Sequence, residues 1–219
     1  MNRLALFDCD GTLVDGQAPH RLALAEAFAA EALEAPSDDA ARRLIGLGLV
    51  ETMAALLPDA TCAEHLRLAE AYKRAFHGLR ARGLVEEPLF PGIPALLGAL
   101  EEEGWLLGVA TGKSTRGLDL CLACHGLTRR FVTRQTADLH PSKPHPSMIE
   151  AAMAEAGASA ETTMMIGDTS YDMAMARAAG AAAIGVAWGY HPPQELLAAG
   201  AHQIAVQPLD ILDLAKALA

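Results

Sequence analysis

Leu4-Ala5-Leu6-Phe7-Asp8-Cys9-Asp10-Gly11-Thr12 is the first apolar run of the chain, and it stops abruptly on two carboxylates and a glycine. A short apolar run ending in two carboxylates and a glycine reads as a strand of an open α/β sheet whose end exposes its chemistry. Residues two apart on a strand share a face, so Asp8 and Asp10 lean into the same crevice where the strand ends. Like charges this close call for a divalent cation between them, or for one carboxyl to keep its proton. Both outcomes suit catalysis better than architecture.

Working outward, the same kind of segment recurs at Trp105 to Ala110, Phe131 to Thr133, Met164 to Ile166, Ala183 to Ala187 and Gln203 to Val206. Between these lie stretches with helical apolar spacing: Ile93 to Glu103, Thr115 to His125, Pro146 to Gly157 and Tyr171 to Ala179. Strands alternating with helices predict an α/β fold, a doubly wound parallel sheet with helices on both faces. Residues 16–82 break the alternation: Leu22, Phe28, Leu33, Leu66, Tyr72, Phe76 and Leu79 follow helical periods with no strand between them. The expectation is a core of residues 1–15 and 83–219 with a small all-helical cap, residues 16–82, inserted after the first strand. The insertion leaves and rejoins the sheet beside the paired carboxylates, which suits a lid that excludes water from a reactive centre.

Three further motifs fall at predicted strand ends. Thr111-Gly112-Lys113-Ser114 offers a hydroxyl and backbone N–H groups before a helix, an arrangement that suits an anion. Pro141-Ser142-Lys143-Pro144-His145-Pro146 carries Lys143 on a loop stiffened by three prolines. Met164-Met165-Ile166-Gly167-Asp168 repeats the opening design, an apolar strand tipped by a carboxylate. Asp168 then reads as a metal ligand or a helix N-cap, and Asp172, one helical turn on, as a group that holds the loop or the metal's waters. Three carboxylates, a lysine and an N–H pocket together suit Mg2+-assisted phosphoryl transfer through an aspartyl-phosphate. In that scheme Asp8 attacks, Lys143 and Thr111 hold phosphoryl oxygens, and Asp10, kept protonated by crowding, serves as acid and then base.

The 219 residues are 52% hydrophobic, 20% charged and carry a net charge of −10. This acidic balance argues against nucleic-acid or anionic-membrane partners, which need a basic surface. With no membrane-span-like stretch or signal-like start, the expected location is cytoplasmic and the expected partner a small phosphorylated metabolite. Four cysteines in such a chain read as thiols. Cys121-Leu122-Ala123-Cys124-His125 spells a c-type haem attachment pattern but lacks the export context that chemistry requires.

These four motifs, in this order, resemble those of the haloacid dehalogenase superfamily, and the whole chain resembles its phosphoglycolate phosphatase-like members. The matching positions are Asp8 to Asp15 for the first motif, Thr111 for the second, Lys143 for the third, and Gly167-Asp168 through Asp172 for the fourth. The resemblance implies that Asp8 is the nucleophile and Asp10 the acid and base, with Asp8, Asp168 and the Asp10 backbone carbonyl ligating Mg2+. It also implies Gly11 and Gly112 beside the phosphate, and a cap that reads the leaving group. Asp10 favours a phosphatase over a carbon–halogen hydrolase, with sugar-phosphate mutase, pyrophosphatase and a non-enzymatic phospho-acceptor domain as alternatives. Cys9 and Gly16 depart from the usual residues without touching that chemistry. In the cap, Arg42 and Arg43 beside Gly46-Leu47-Gly48 read either as residues that meet an anionic substrate tail or as ordinary surface arginines at a helix end.

Overall fold

A computed structural model describes residues 1–217. The order of elements is β1 (Asn2–Phe7), α1 (Gln17–Ala30), α2 (Asp38–Arg43), α3 (Leu49–Leu56), α4 (Cys62–Ala81), α5 (Ile93–Glu102), β2 (Trp105–Thr111), α6 (Thr115–Cys124) and β3 (Phe131–Thr136). It continues through α7 (Ser147–Ala156), β4 (Ala158–Gly167), α8 (Ser170–Ala178), β5 (Ala182–Val186), α9 (Pro193–Ala198), β6 (Gln203–Ala205) and α10 (Asp210–Ala217). All six strands pair in parallel in the order β3-β2-β1-β4-β5-β6.

Apolar runs at β1, β2, β4 and β5 have no polar face, so each must be covered twice. One face of the sheet is packed by Ile93, Leu96, Leu97 and Leu100 of α5, Leu118 and Leu122 of α6 and Ile211 of α10. The other is packed by Met148, Ile149 and Ala152 of α7, Met173 and Ala176 of α8 and Leu196 of α9. The strand order reverses at β1, with β2 on one side and β4 on the other. The crevice beyond their carboxyl ends is where open sheets of this kind take ligands.

Helices α1–α4 bury a separate cluster of their own, built on Ala23, Leu24, Phe28, Met53, Leu68 and Leu79. Thr61 and Glu64 close a reciprocal capping box that starts α4. Two strands run longer than their apolar runs predict. β3 continues through Arg134-Gln135-Thr136, where the alternation of exposed Arg134 with buried Thr133 and Gln135 marks a sheet edge, and β4 begins at Ala158 with an irregular register against Asn2 to Leu4. Among the described residues no helix is long and apolar enough to cross a membrane.

Candidate active site

Register places the chemistry. Phe7 lies opposite Val109 of β2 and Ile166 of β4, so the residues following those three strands share one edge of the sheet. The Asp8 N–H still donates to the Ile166 carbonyl at 2.9 Å, fixing Asp8 beside Gly167 and Asp168. The chain then turns back, with the N–H groups of Leu13 and Val14 both donating to the Cys9 carbonyl. Gly11 sits at φ +84°, and a Cβ there would lie 2.1 Å from Asp168 Oδ2, so only glycine lets this turn approach the fourth motif.

Asp8, Asp168 and Asp172 are all wholly buried and can each aim an oxygen at a common point, those atoms lying within 4.8 Å of one another. Lys143, itself 2% exposed, is the cation that joins Asp8 to Asp172: its Nζ is 2.9 Å from Asp8 Oδ1 and 2.7 Å from Asp172 Oδ1. Thr12 Oγ1 and the Tyr190 N–H donate to the two oxygens of Asp168, each at 2.9 Å. The helix N-cap is Thr169 rather than Asp168. Asp172 returns the cap by accepting from the Thr169 N–H and Oγ1, which also aims its other oxygen at Lys143.

One ammonium among three buried carboxylates leaves an excess of negative charge. Asp8 Oδ2 is buried with no hydrogen-bond partner. Burial pushes the Asp8 carboxyl up to about 7, with the Asp172 and Asp10 charges adding to the rise and Lys143 opposing it. Asp168 is likewise raised well above the usual carboxylate range, by burial and then by its acidic neighbours. An all-oxygen donor set that is buried and over-charged fits a hard divalent cation.

Asp10 departs from the expectation that crowding keeps it protonated. Its side chain turns away from Asp8 toward Lys113 Nζ, 3.1 Å from Oδ1, and His20 Nε2, 3.5 Å from Oδ2. Burial works to raise its pKa, but the Lys113 ammonium and His20 outweigh it and hold the carboxyl well below the usual range. Lys113 is buried too, and also pairs with Glu87. His20 is hydrogen-bonded through Nδ1 to the Tyr72 hydroxyl, so α1 and α4 reach the core site through these two rings.

Thr111, 1% exposed, ends β2, and its Oγ1 accepts from the Lys113 N–H. Gly112 lies directly under the Gly46-Leu47-Gly48 loop: a Cβ there would be 2.8 Å from the Gly46 carbonyl oxygen and 2.7 Å from that of Leu47. The Gly48 N–H donates to Ser142 Oγ at 2.7 Å, tying the loop to the third motif. Arg42 and Arg43 are not brought to this cavity. Arg42 donates to the Tyr190 carbonyl at 3.1 Å and Arg43 pairs with Glu195 at 2.7 Å, so both tie the insertion to the core. Cys9 and Cys121 are buried neighbours with sulfurs 4.0 Å apart, whereas Cys124 is exposed and His125 bonds the Glu87 carbonyl.

Sequence reasoning assigned no role to His20, Tyr72, Glu87 or Lys113. Lys113 lies within Thr111-Gly112-Lys113-Ser114, but its direction depends on Glu87, 26 residues earlier in the chain. His20 and Tyr72 carry no signal beyond helical spacing.

The family described as haloacid dehalogenase-like hydrolase matches residues 5–186. The chain is 38% identical, over 100% of its length and 95% of the relative's, to a protein described as probable phosphatase IndB of Dickeya dadantii. It is 33% identical, over 88% of the chain and 83% of the relative, to a phosphoglycolate phosphatase of Xylella fastidiosa. Among solved structures, a hydrolase from Pseudomonas syringae superposes with a TM-score of 0.85 at 27% identity, covering 100% of both chains.

Proposed function

This chain belongs to the haloacid dehalogenase-like hydrolases and is a phosphatase of that family, and from that premise we propose that it hydrolyses a small phosphomonoester through an aspartyl-phosphate on Asp8, with Mg2+ as cofactor. The observation that carries the reading is the Asp8 side chain. One oxygen is held by Lys143 and the Cys9 N–H, at 2.9 and 2.6 Å, while the other is buried without a partner. A nucleophilic carboxylate needs this asymmetry, with one oxygen fixed and one free to attack.

Asp8, Asp168 and the Asp10 backbone carbonyl would hold the metal, with Asp172 adjacent. Mg2+, when bound, would offset the repulsion between carboxylates and phosphate and polarise a phosphoryl oxygen. Lys143, fixed from both sides by Asp8 and Asp172, presents its ammonium to the phosphoryl group without rotamer freedom to lose. Thr111 and the N–H groups around Gly11 and Gly112 are the remaining donors for its oxygens. Asp10 rests as a carboxylate, the form that accepts a proton from the water attacking the phosphoenzyme. For the earlier step it must first collect a proton for the leaving alkoxide, and the nitrogen groups within reach are Lys113 Nζ, 3.1 Å from its Oδ1, and His20 Nε2, 3.5 Å from its Oδ2. Helices α1–α4 act as the cap, keeping bulk water from Asp8 while the ester is cleaved.

The reading is tested by incubating the purified protein with phosphorylated metabolites, 2-phosphoglycolate included, with Mg2+ or with chelator, and analysing the products. Release of inorganic phosphate that requires the metal supports it. An isomeric sugar phosphate without phosphate release points to a mutase and rejects it.

A further inference from the structure

The cavity that opens from Asp10 and Lys113 under α1–α4 has a volume of about 590 Å³, within the range of pockets that enclose whole metabolites. That is far more than a two-carbon acid requires once the phosphate is seated. The apolar part of its wall is made by Leu24, Leu44, Leu47, Leu49, Val50 and Phe76. Phe76 is half-buried and lies in an aromatic cluster, 5.5 Å from the His20 ring centroid and 5.9 Å from that of Tyr72.

A carboxylate tail would need a cation here, and all but one of the lining Lys and Arg side chains are already paired with carboxylates. Lys113 is shared between Asp10 and Glu87. Arg80 pairs with Glu87 at 3.3 Å and stands over the Phe76 ring, 5.6 Å from its centroid. Lys73 pairs with Glu70 in solvent. Among the lining cations only Arg116 has no acidic partner among the described residues, and its exposure at the start of α6 puts it at the rim. Glu51 and Asp138 line the same cavity and disfavour a second anion.

Resting on the phosphatase reading above, we propose that this cavity selects phosphomonoesters whose alcohol carries an uncharged, ring-sized apolar body, with Phe76 and Leu47 as the residues that determine the choice. A ring buried against leucines and a phenylalanine loses its hydration to apolar surface, whereas a carboxylate in the same place loses water and finds Lys113 and Arg80 already shared with Asp10 and Glu87. Short carboxylate-tailed esters are then poor substrates of this chain.

Benzyl phosphate and ethyl phosphate test this cleanly, because their alcohols have similar acidity and differ in the ring. With Mg2+ present, kcat/KM for benzyl phosphate should exceed that for ethyl phosphate by about thirtyfold, and 2-phosphoglycolate should do no better than ethyl phosphate. Phe76→Ala and, separately, Leu47→Ala should each cut the benzyl-to-ethyl ratio at least about fivefold. A ratio within about threefold in the native protein, a preference for 2-phosphoglycolate, or two folded variants that keep the native ratio would each overturn the proposal. Binding of benzylphosphonate and ethylphosphonate by calorimetry separates the two readings. Tighter binding of the benzyl compound without phosphate release from any ester rejects the phosphatase and leaves the selectivity, whereas equal binding rejects the selectivity.

Discussion

Stripped of metal, the protein should lose stability as pH rises through the range in which it would ordinarily be handled, and Asp8 is the reason. Its carboxyl is wholly buried, and burial first, with Asp172 and Asp10 adding, raises it from 3.8 to about 7 against the pull of Lys143. In the unfolded chain the same group ionises near its ordinary value. Between about pH 4 and about pH 7 the unfolded chain has therefore released a proton that the folded protein retains. Stability is greatest below that window, falls as pH rises through it, and is flat above it as far as Asp8 is concerned. Each unit is worth at most about 1.4 kcal/mol, and the folded carboxyl is itself half ionised by about pH 7, so passing from about pH 5 to about pH 7 should remove about 2 kcal/mol, a large share of a typical ~5–15 kcal/mol. Asp168, raised for the same cause, adds with the same sign. A divalent cation among these carboxylates favours their ionised forms, so Mg2+ should flatten the dependence. Urea unfolding of the native protein and Asp8→Asn, in chelator and in Mg2+ across this pH range, reads the effect. In chelator the native protein should show the fall and the variant at most about half of it. Equal slopes in the two proteins would refute the reasoning.

Two other substitutions probe separate parts of the site. Lys143→Met leaves Asp8 and Asp172 buried without their shared cation, so the folded state should weaken by about 3–5 kcal/mol, read from the urea midpoint in chelator. Gly112→Ala puts a methyl group 2.7–2.8 Å from the Leu47 and Gly46 carbonyl oxygens, both backbone atoms that cannot step aside as a side chain could. Displacing that loop should lower kcat/KM at least about tenfold, while the unfolding midpoint moves little.

What could be read from the chain alone follows from how each element is stabilised. β1, β2 and β4 announce themselves because strands covered on both faces must be continuously apolar at their centres. The second half of β3 hides because an edge strand alternates, and Arg134 between Thr133 and Gln135 resembles a loop. Helices α9 and α10 hide because each is short, and α9 buries only Leu196. At the site, Asp8, Thr111, Lys143 and Asp168 are legible by position, since each follows or flanks a strand end, and the sheet brings those ends together. Directions are not legible. Asp10 turns to Lys113 and His20, and Arg42 and Arg43 turn to Tyr190 and Glu195, because the helical insertion docks on the core in a way that no local spacing encodes. The carboxyl expected to hold a proton is accordingly the one most firmly ionised, and Asp8 and Asp168 carry the upward shifts instead.

Whether Asp8 receives the phosphoryl group is read directly by rapid acid quenching of the working enzyme with labelled substrate, followed by peptide mass analysis. A phosphoryl increment on Asp8 is predicted, absent in Asp8→Asn and longer-lived in Asp10→Asn, which lacks the carboxylate assigned to activate water. Full turnover with the label on another residue, or an Asp8→Asn variant that still releases phosphate at the native rate, would contradict it.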